Sequence, residues 1–402
     1  RSWVYSLLTV VAVAAVVARI CNAELVYEPS LHRNPEDQFP PAPQRVWPAR
    51  RPAPMPTFSS NDRSRWATVR ALVENGTYVI GHRDPAKATA KNKYGDEGIV
   101  FEDGWQTVDK VMNPETHDFY SSKPPLLPTL MAGEYWLLKH AFGWSFATHR
   151  WAVVRTIVLT FNWLPWLLYL WLLSRLVEQL GATDWGRLYV FATGCFGTLL
   201  TPFLVSINNH TLATCSALLA VYFAAQVFLS ESPRWWSFAM AGFFAAFTAT
   251  DELPAASFTA ALGLLLLWRF PRQTLCFFAP AALVPVAAFL LTNYLAIGEL
   301  VPAYSKRDTD WYRYEGSHWG KDPDPVKPGI DFARLKEDRL TYAVHVLVGH
   351  HGLFSLTPVF VLAVVGMLWG AWRLKASGGR PSPLSPLGRG EKKGAHALRS
   401  PG

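Results

Sequence analysis

The sequence predicts an all-α multi-pass membrane protein with about eight transmembrane helices and a large first outer loop carrying surface helices. Three observations predict it. Only 17% of the 402 residues are charged and 50% are hydrophobic, whereas a soluble domain carries about 25% charged residues. Apolar runs recur along the chain at about 20 residues, the length that crosses a bilayer as a helix. The mean hydropathy is nevertheless only +0.11, so large water-facing segments must accompany the spans. Composition thus excludes both a soluble globular enzyme and a bare helix bundle.

The elements follow in chain order. Residues 1–21 form the first span. Cys21-Asn22-Ala23 is a poor cleavage context, so the run reads as a retained anchor. Residues 22–56 are a Pro-rich outer linker. Residues 57–150 form the first outer loop, with amphipathic helices expected near 61–74 and 130–142. Residues 151–297 hold about six helices, from apolar runs at 151–173, 188–205, 212–229, 236–250, 254–267 and 275–297. Residues 298–352 are a second large outer loop, and 353–375 the last span. Residues 376–402, rich in Gly, Pro, Ser and basic residues, cannot bury a core and read as a disordered basic tail. Arg1 in place of Met, with that tail, suggests a fragment.

Charge orients the set. The short links carry Arg175 and Arg187, Arg234, then Arg269 and Arg272, and Arg373 with Lys375 follows the last span. Eight spans put all of them on one side, the cytoplasm by the positive-inside rule, with both termini there. The net charge of +8 is accounted for in this way, and no nucleic-acid partner is expected. Cys21, Cys195, Cys215 and Cys276 are isolated, with no spacing for zinc, a redox pair or a disulfide framework.

Candidate chemistry gathers on the outer face. Asp62 precedes Trp66 by one helical turn, so it continues the stripe of Trp66, Val69 and Val73. It reads either as a helix-start acid or as a carboxylate aimed at the protein–membrane junction. Lys123 stands before Pro124-Pro125 and Pro128, which hold the chain extended. It reads as a snorkelling lysine or as a partner for a lipid phosphate. Asn209-His210 and Asp251-Glu252 lie in outer breaks between spans, where charge is costly and tends to serve function. His350, beside His351, opens the last span as a phosphate or sugar ligand or as a plain turn residue. The Tyr- and Trp-rich stretch 304–319 suits sugar stacking or an interfacial belt.

Asn61-Asp62, Arg65-Trp66-Ala67, Arg70, Asn75-Gly76 and then Tyr120-Ser121-Ser122-Lys123-Pro124-Pro125-Leu126 occur in that order within one loop. This set, about 85 residues long, resembles the first outer loop of GT-C membrane glycosyltransferases, in particular bacterial relatives of dolichyl-phosphate-mannose:protein mannosyltransferases. The resemblance implies a bacterial inner-membrane enzyme with its site facing outward. It would take a sugar from a polyprenyl-phosphate carrier and pass it to a lipid, glycan or protein hydroxyl. Asp62 would be the general base, and Lys123 would hold the donor phosphate. Asn209, His210, Asp251, Glu252 and His350 are expected at the substrate from their own place at the outer face, not from the resemblance. Where many relatives have two adjacent acids, this chain has Asp62-Arg63. Asp84, Asp96, Glu97, Glu102, Asp103 and Asp109 are then open as a second carboxylate or as ligands of a divalent cation. No other cofactor is implied. The other readings are a transporter or flippase-like protein and an inactive GT-C relative.

Overall fold

The computed structural model describes residues 1–25, 54–90, 92–307, 309–319, 338–350 and 352–376. They fall into two compact units, Arg1–Asp324 and Pro325–Gly402. The disordered-tail expectation for 377–402 lies outside the described residues. So does most of the Pro-rich linker, although Leu25 and Met55 at its two ends pair as an antiparallel bridge.

The first unit is mainly helical. Four of its helices are long and apolar enough to cross a bilayer: α1 (Ser2–Asn22), α4 (Arg150–Leu180), α7 (Asn209–Leu229) and α10 (Pro271–Ile297). Their outward faces remain apolar. On α10 alone Leu283, Val284, Leu291 and Leu295 are exposed, a surface suited to lipid rather than water.

The remaining apolar runs give shorter helices. The run at 188–205 becomes α5 (Asp184–Phe196), closed by Gly197, and the single turn α6 (Leu200–Phe203), which contains Pro202. The run at 236–250 becomes α8 (Trp235–Asp251), whose 17 residues rise only about 26 Å against a hydrocarbon core of about 30 Å. The helix α9 (Ala256–Arg269) is shorter still. In the second unit, Arg339–Leu356 and Val359–Gly370 meet at a bend of 100° and reach spanning length only together. The eight expected spans therefore compare with four long helices among the described residues, or five if that bent pair is one span.

The segment 57–150 holds helices near the two expected positions and a sheet that the sequence reading lacked. Helix α2 (Ser60–Glu74) is capped by Ser59, whose hydroxyl accepts the Asp62 N–H. It ends before Gly76, which takes the positive φ of 67° that glycine tolerates. Helix α3 (Leu126–Phe142) begins four residues earlier than expected. Pro128 stands in its first turn, where a missing N–H costs nothing, so the prolines keep only the approach to the helix extended. Between the two helices lie β1 (Gly81–Arg83), β2 (Asp96–Glu97), β3 (Lys110–Met112) and β4 (Asp118–Ser121), all antiparallel in the order β2-β1-β4-β3. Helices α2 and α3 pack on each other, and α2 packs on β4, in a core that includes Trp66, Trp105, Phe119, Tyr135 and Phe146, all buried. Phe146 sits edge-on to Trp66 and Trp105, with ring centroids at 6.0 and 5.2 Å.

Among the long helices, α8 lies between α7 and α10. The approach to α10 depends on Gly242, where an added Cβ would collide with the Phe278 carbonyl. Gly242→Ala is expected to lower stability by ~1–3 kcal/mol through overpacking. Gly133→Ala in α3, where a Cβ meets nothing within 4 Å, is expected to be neutral or slightly stabilising. Thermal unfolding in detergent checks the pair, and equal effects would refute the tight α8–α10 contact.

Candidate functional site

The site starts from helix α2. Asp62 and Arg65 are one turn apart and both turn inward, with 1% and 4% of their surfaces exposed. The Asp62 carboxylate accepts three N–H donors. Oδ1 takes the Trp66 indole at 2.8 Å and the Ile207 backbone at 3.2 Å, and Oδ2 takes the Phe58 backbone at 2.9 Å. Burial pushes this carboxyl up to about 6, while the three donors and the nearby Arg65 guanidinium pull against it. The Asp62 N–H in turn donates to the Ser59 hydroxyl at 3.1 Å, which caps the helix. The helix-start reading of this residue therefore has a physical counterpart.

Arg65 is the hub. Its Nε donates to Asn209 Oδ1 at 3.0 Å and its Nη1 to the Asn61 backbone and side-chain oxygens. Four carboxylates act on it: Asp62, Asp109, Glu252 and Asp251. Burial lowers its pKa to about 10, against the pull of those four acids. Asn209, in the first turn of α7, passes the contact on by donating to the Asp251 carbonyl at 2.8 Å, at the end of α8. The neighbouring His210 pairs with Glu252 at 2.8 Å. Asp251 Oδ2 is buried without a hydrogen-bond partner among the described residues.

Helix α4 supports this corner from below. Its regular winding is interrupted by a π-helical turn at Leu159–Trp163, a feature common at functional sites. Within it, buried Asn162 donates to the Leu204 and Ser206 carbonyls at 3.0 and 2.7 Å. That fixes the loop whose next residue, Ile207, donates to Asp62.

Lys123 approaches from the sheet. Its ammonium pairs with Asp109 at 3.0 Å. Ser64 of α2 donates to the Asp109 carbonyl at 2.6 Å and meets the Ser121 hydroxyl at 2.6 Å, while the Lys123 N–H donates to Ser121 Oγ. The β3–β4 register, Lys110 opposite Ser121, brings Asp109 and Lys123 together. The stretch expected to stack on sugars packs against this sheet. Trp311 accepts the Met112 N–H through its carbonyl and lies 6.1 Å from the Tyr120 ring. Tyr312 bonds Ser122, and the Trp319 indole donates to the Val108 carbonyl at 2.7 Å.

Of the residues singled out from sequence, Asp62, Asn209, His210, Asp251 and Glu252 thus meet in one cluster around Arg65, and Lys123 joins it through Asp109. His350 lies in the second unit, exposed in the turn before Leu353–Leu356; its neighbour His351 lies outside the described residues. No family model, curated protein or solved structure matches the chain. Among the described residues, no group of three His, Cys, Asp or Glu side chains gathers as a metal site. A large cavity of about 1630 Å³ opens elsewhere, between α1, α4 and α7, and none of these site residues lines it.

Arg65 and Asp109 carry the cluster, yet sequence reasoning gave Arg65 no role beyond its place in the motif and did not choose Asp109 among the candidate acids. Arg65 stands three residues after Asp62 and one before Trp66, so the α2 spacing alone places it on the buried face. Asp109 was one acid among six, and only the β3–β4 register singles it out. Arg65→Met is expected to cost ~3–5 kcal/mol, because it leaves buried carboxylates uncompensated. The double variant Arg65→Met/Asp251→Asn is expected to recover part of that loss. Detergent unfolding of the cycle checks both, and strict additivity would refute the coupling.

Proposed function

We propose that the chain is a membrane glycosyltransferase that moves a sugar from a polyprenyl-phosphate carrier to an acceptor hydroxyl on the non-cytoplasmic face of a bacterial inner membrane. One observation carries the reading: the Asp62 carboxylate and the Lys123 ammonium belong to a single charge cluster at the ends of apolar helices. A sugar-phosphate diester calls for a base for the incoming hydroxyl and a cation for the departing phosphate.

In this reading the donor phosphate takes the Lys123 ammonium from Asp109. The acceptor hydroxyl gives its proton to Asp62, and its oxygen bonds the anomeric carbon. The bond from that carbon to the phosphate oxygen breaks, and polyprenyl phosphate leaves with the electron pair. A carboxyl pushed up to about 6 suits a base at neutral pH, being ionised yet more basic than an exposed carboxylate. Oδ2 carries one donor, Phe58 N–H, and so keeps a lone pair for the proton. The acceptor reaches it when the segment around Phe58 moves aside. Full spanning topology with cytoplasmic termini belongs to the same proposal and rests on the basic short links.

The enclosure of Asp62 favours a second reading, an inactive relative in which this residue only caps α2 and ties it to Ile207. Transfer from radiolabelled polyprenyl-phosphate sugars in reconstituted membranes separates the two. Asp62→Asn and Lys123→Ala are each expected to lower transfer 10²-fold or more. Wild-type transfer is expected to fall as pH drops through about 6, because protonated Asp62 accepts no proton. Transfer indifferent to both substitutions sinks the site assignment, and solute transport without transfer sinks the enzyme reading.

A further inference from the structure

Beside Lys123 lies a narrow cleft between the outer loop and the end of α10. Its polar lining includes Thr68, Tyr78, Ser121, Lys123 and Asn293. Most of these groups are already engaged. Tyr78 bonds Thr129 at 2.9 Å, Thr68 donates to the Ser64 carbonyl at 3.1 Å, and Ser121 is shared between Ser64 and the Lys123 N–H.

Asn293 differs. It is 1% exposed and stands one turn before the end of an apolar helix. Its Nδ2 donates to the Phe289 carbonyl at 2.7 Å, and its Oδ1 has no partner among the described residues. Turning the amide over would set Oδ1 against the Phe289 carbonyl, so the unsatisfied atom is an acceptor. A buried acceptor left unpaired costs free energy that a ligand's donor restores. The cleft has about 10 Å³ of room, the space of a single water-sized group. One hydroxyl fits there; a whole sugar ring does not.

We propose that this cleft takes one hydroxyl of a phosphate ester whose phosphate stays outside it. The part-exposed Lys123 meets the phosphate at the mouth, exchanging Asp109 for it, and Asn293 Oδ1 accepts the hydroxyl within. Asn293 is then a specificity residue that tells a sugar phosphate from a plain alkyl phosphate. The inference rests on the transferase reading and deepens it by assigning a donor-sugar contact to α10.

Equilibrium binding to the full chain in detergent tests it, with methyl phosphate set against a panel of hexose and pentose 1-phosphates. Parallel arms with the same sugars as citronellyl phosphodiesters distinguish a free ester from a lipid-linked one. At least one sugar phosphate is expected to bind about tenfold tighter than methyl phosphate, the worth of one buried hydrogen bond. Asn293→Leu is expected to erase that preference while binding methyl phosphate like the wild type, which also shows that the variant folds. If Asn293→Leu loses methyl phosphate as well, the smaller Asn293→Ala carries the same comparison. The proposal is overturned if the wild type shows no preference or binds neither ligand, or if the preference survives in the folded variant. Binding with no transfer defeats the transferase reading alone; transfer unchanged by Asn293→Leu defeats this inference alone.

Discussion

Burial of the Arg65 guanidinium is the constraint on which the rest of the site depends. A guanidinium stays charged, and it leaves water only where opposite charge and hydrogen-bond acceptors replace the hydration it gives up. Here the acceptors are Asn61 on α2 and Asn209 on α7, and the opposite charge comes from Asp62 on α2, Asp109 at the edge of β3, and Asp251 with Glu252 at the end of α8. None of these elements can shift far without leaving the guanidinium unpaired. One side chain thereby fixes the loop domain on the ends of the apolar helices.

The same enclosure sets the character of Asp62. Taken out of water, its carboxyl favours the protonated form and is pushed up to about 6, while the neighbouring Arg65 guanidinium opposes that rise. Its three N–H donors keep it from rising further. A carboxyl held between those influences changes charge near neutrality, which an exposed helix-cap aspartate does not.

The parts of this arrangement that were legible in the sequence are those that rest on local spacing. The Asp62–Trp66 turn, the stop at Gly76, and the polar breaks at Asn209 and Asp251 all follow from neighbours a few residues apart. The sheet was not legible, because strands of two to four residues carry too little alternation to be read. Hydropathy marked where apolar runs lie but not how far each winds before Gly197, Pro202 or Pro254 interrupts it. Arg65 looked like one more charge on a surface helix, since its carboxylates come from residues 109, 251 and 252. Asn293 was hidden inside an apolar run, and only its unsatisfied oxygen sets it apart.

The π-helical turn of α4 links an apolar helix to this chemistry. An α-helical Leu159–Trp163 would rotate Asn162 away from the Leu204 and Ser206 carbonyls it now holds. Those carbonyls fix the loop that presents the Ile207 N–H to Asp62 Oδ1. That donor is one of the contacts that lower the carboxyl's proton affinity, so losing it would leave Asp62 more often protonated and less able to act as a base. A winding defect within a long apolar helix thereby tunes a carboxylate on α2. The path between them is a chain of direct contacts, Asn162 to the 204–206 backbone and Ile207 to Asp62, so the tuning requires no motion of the bundle as a whole.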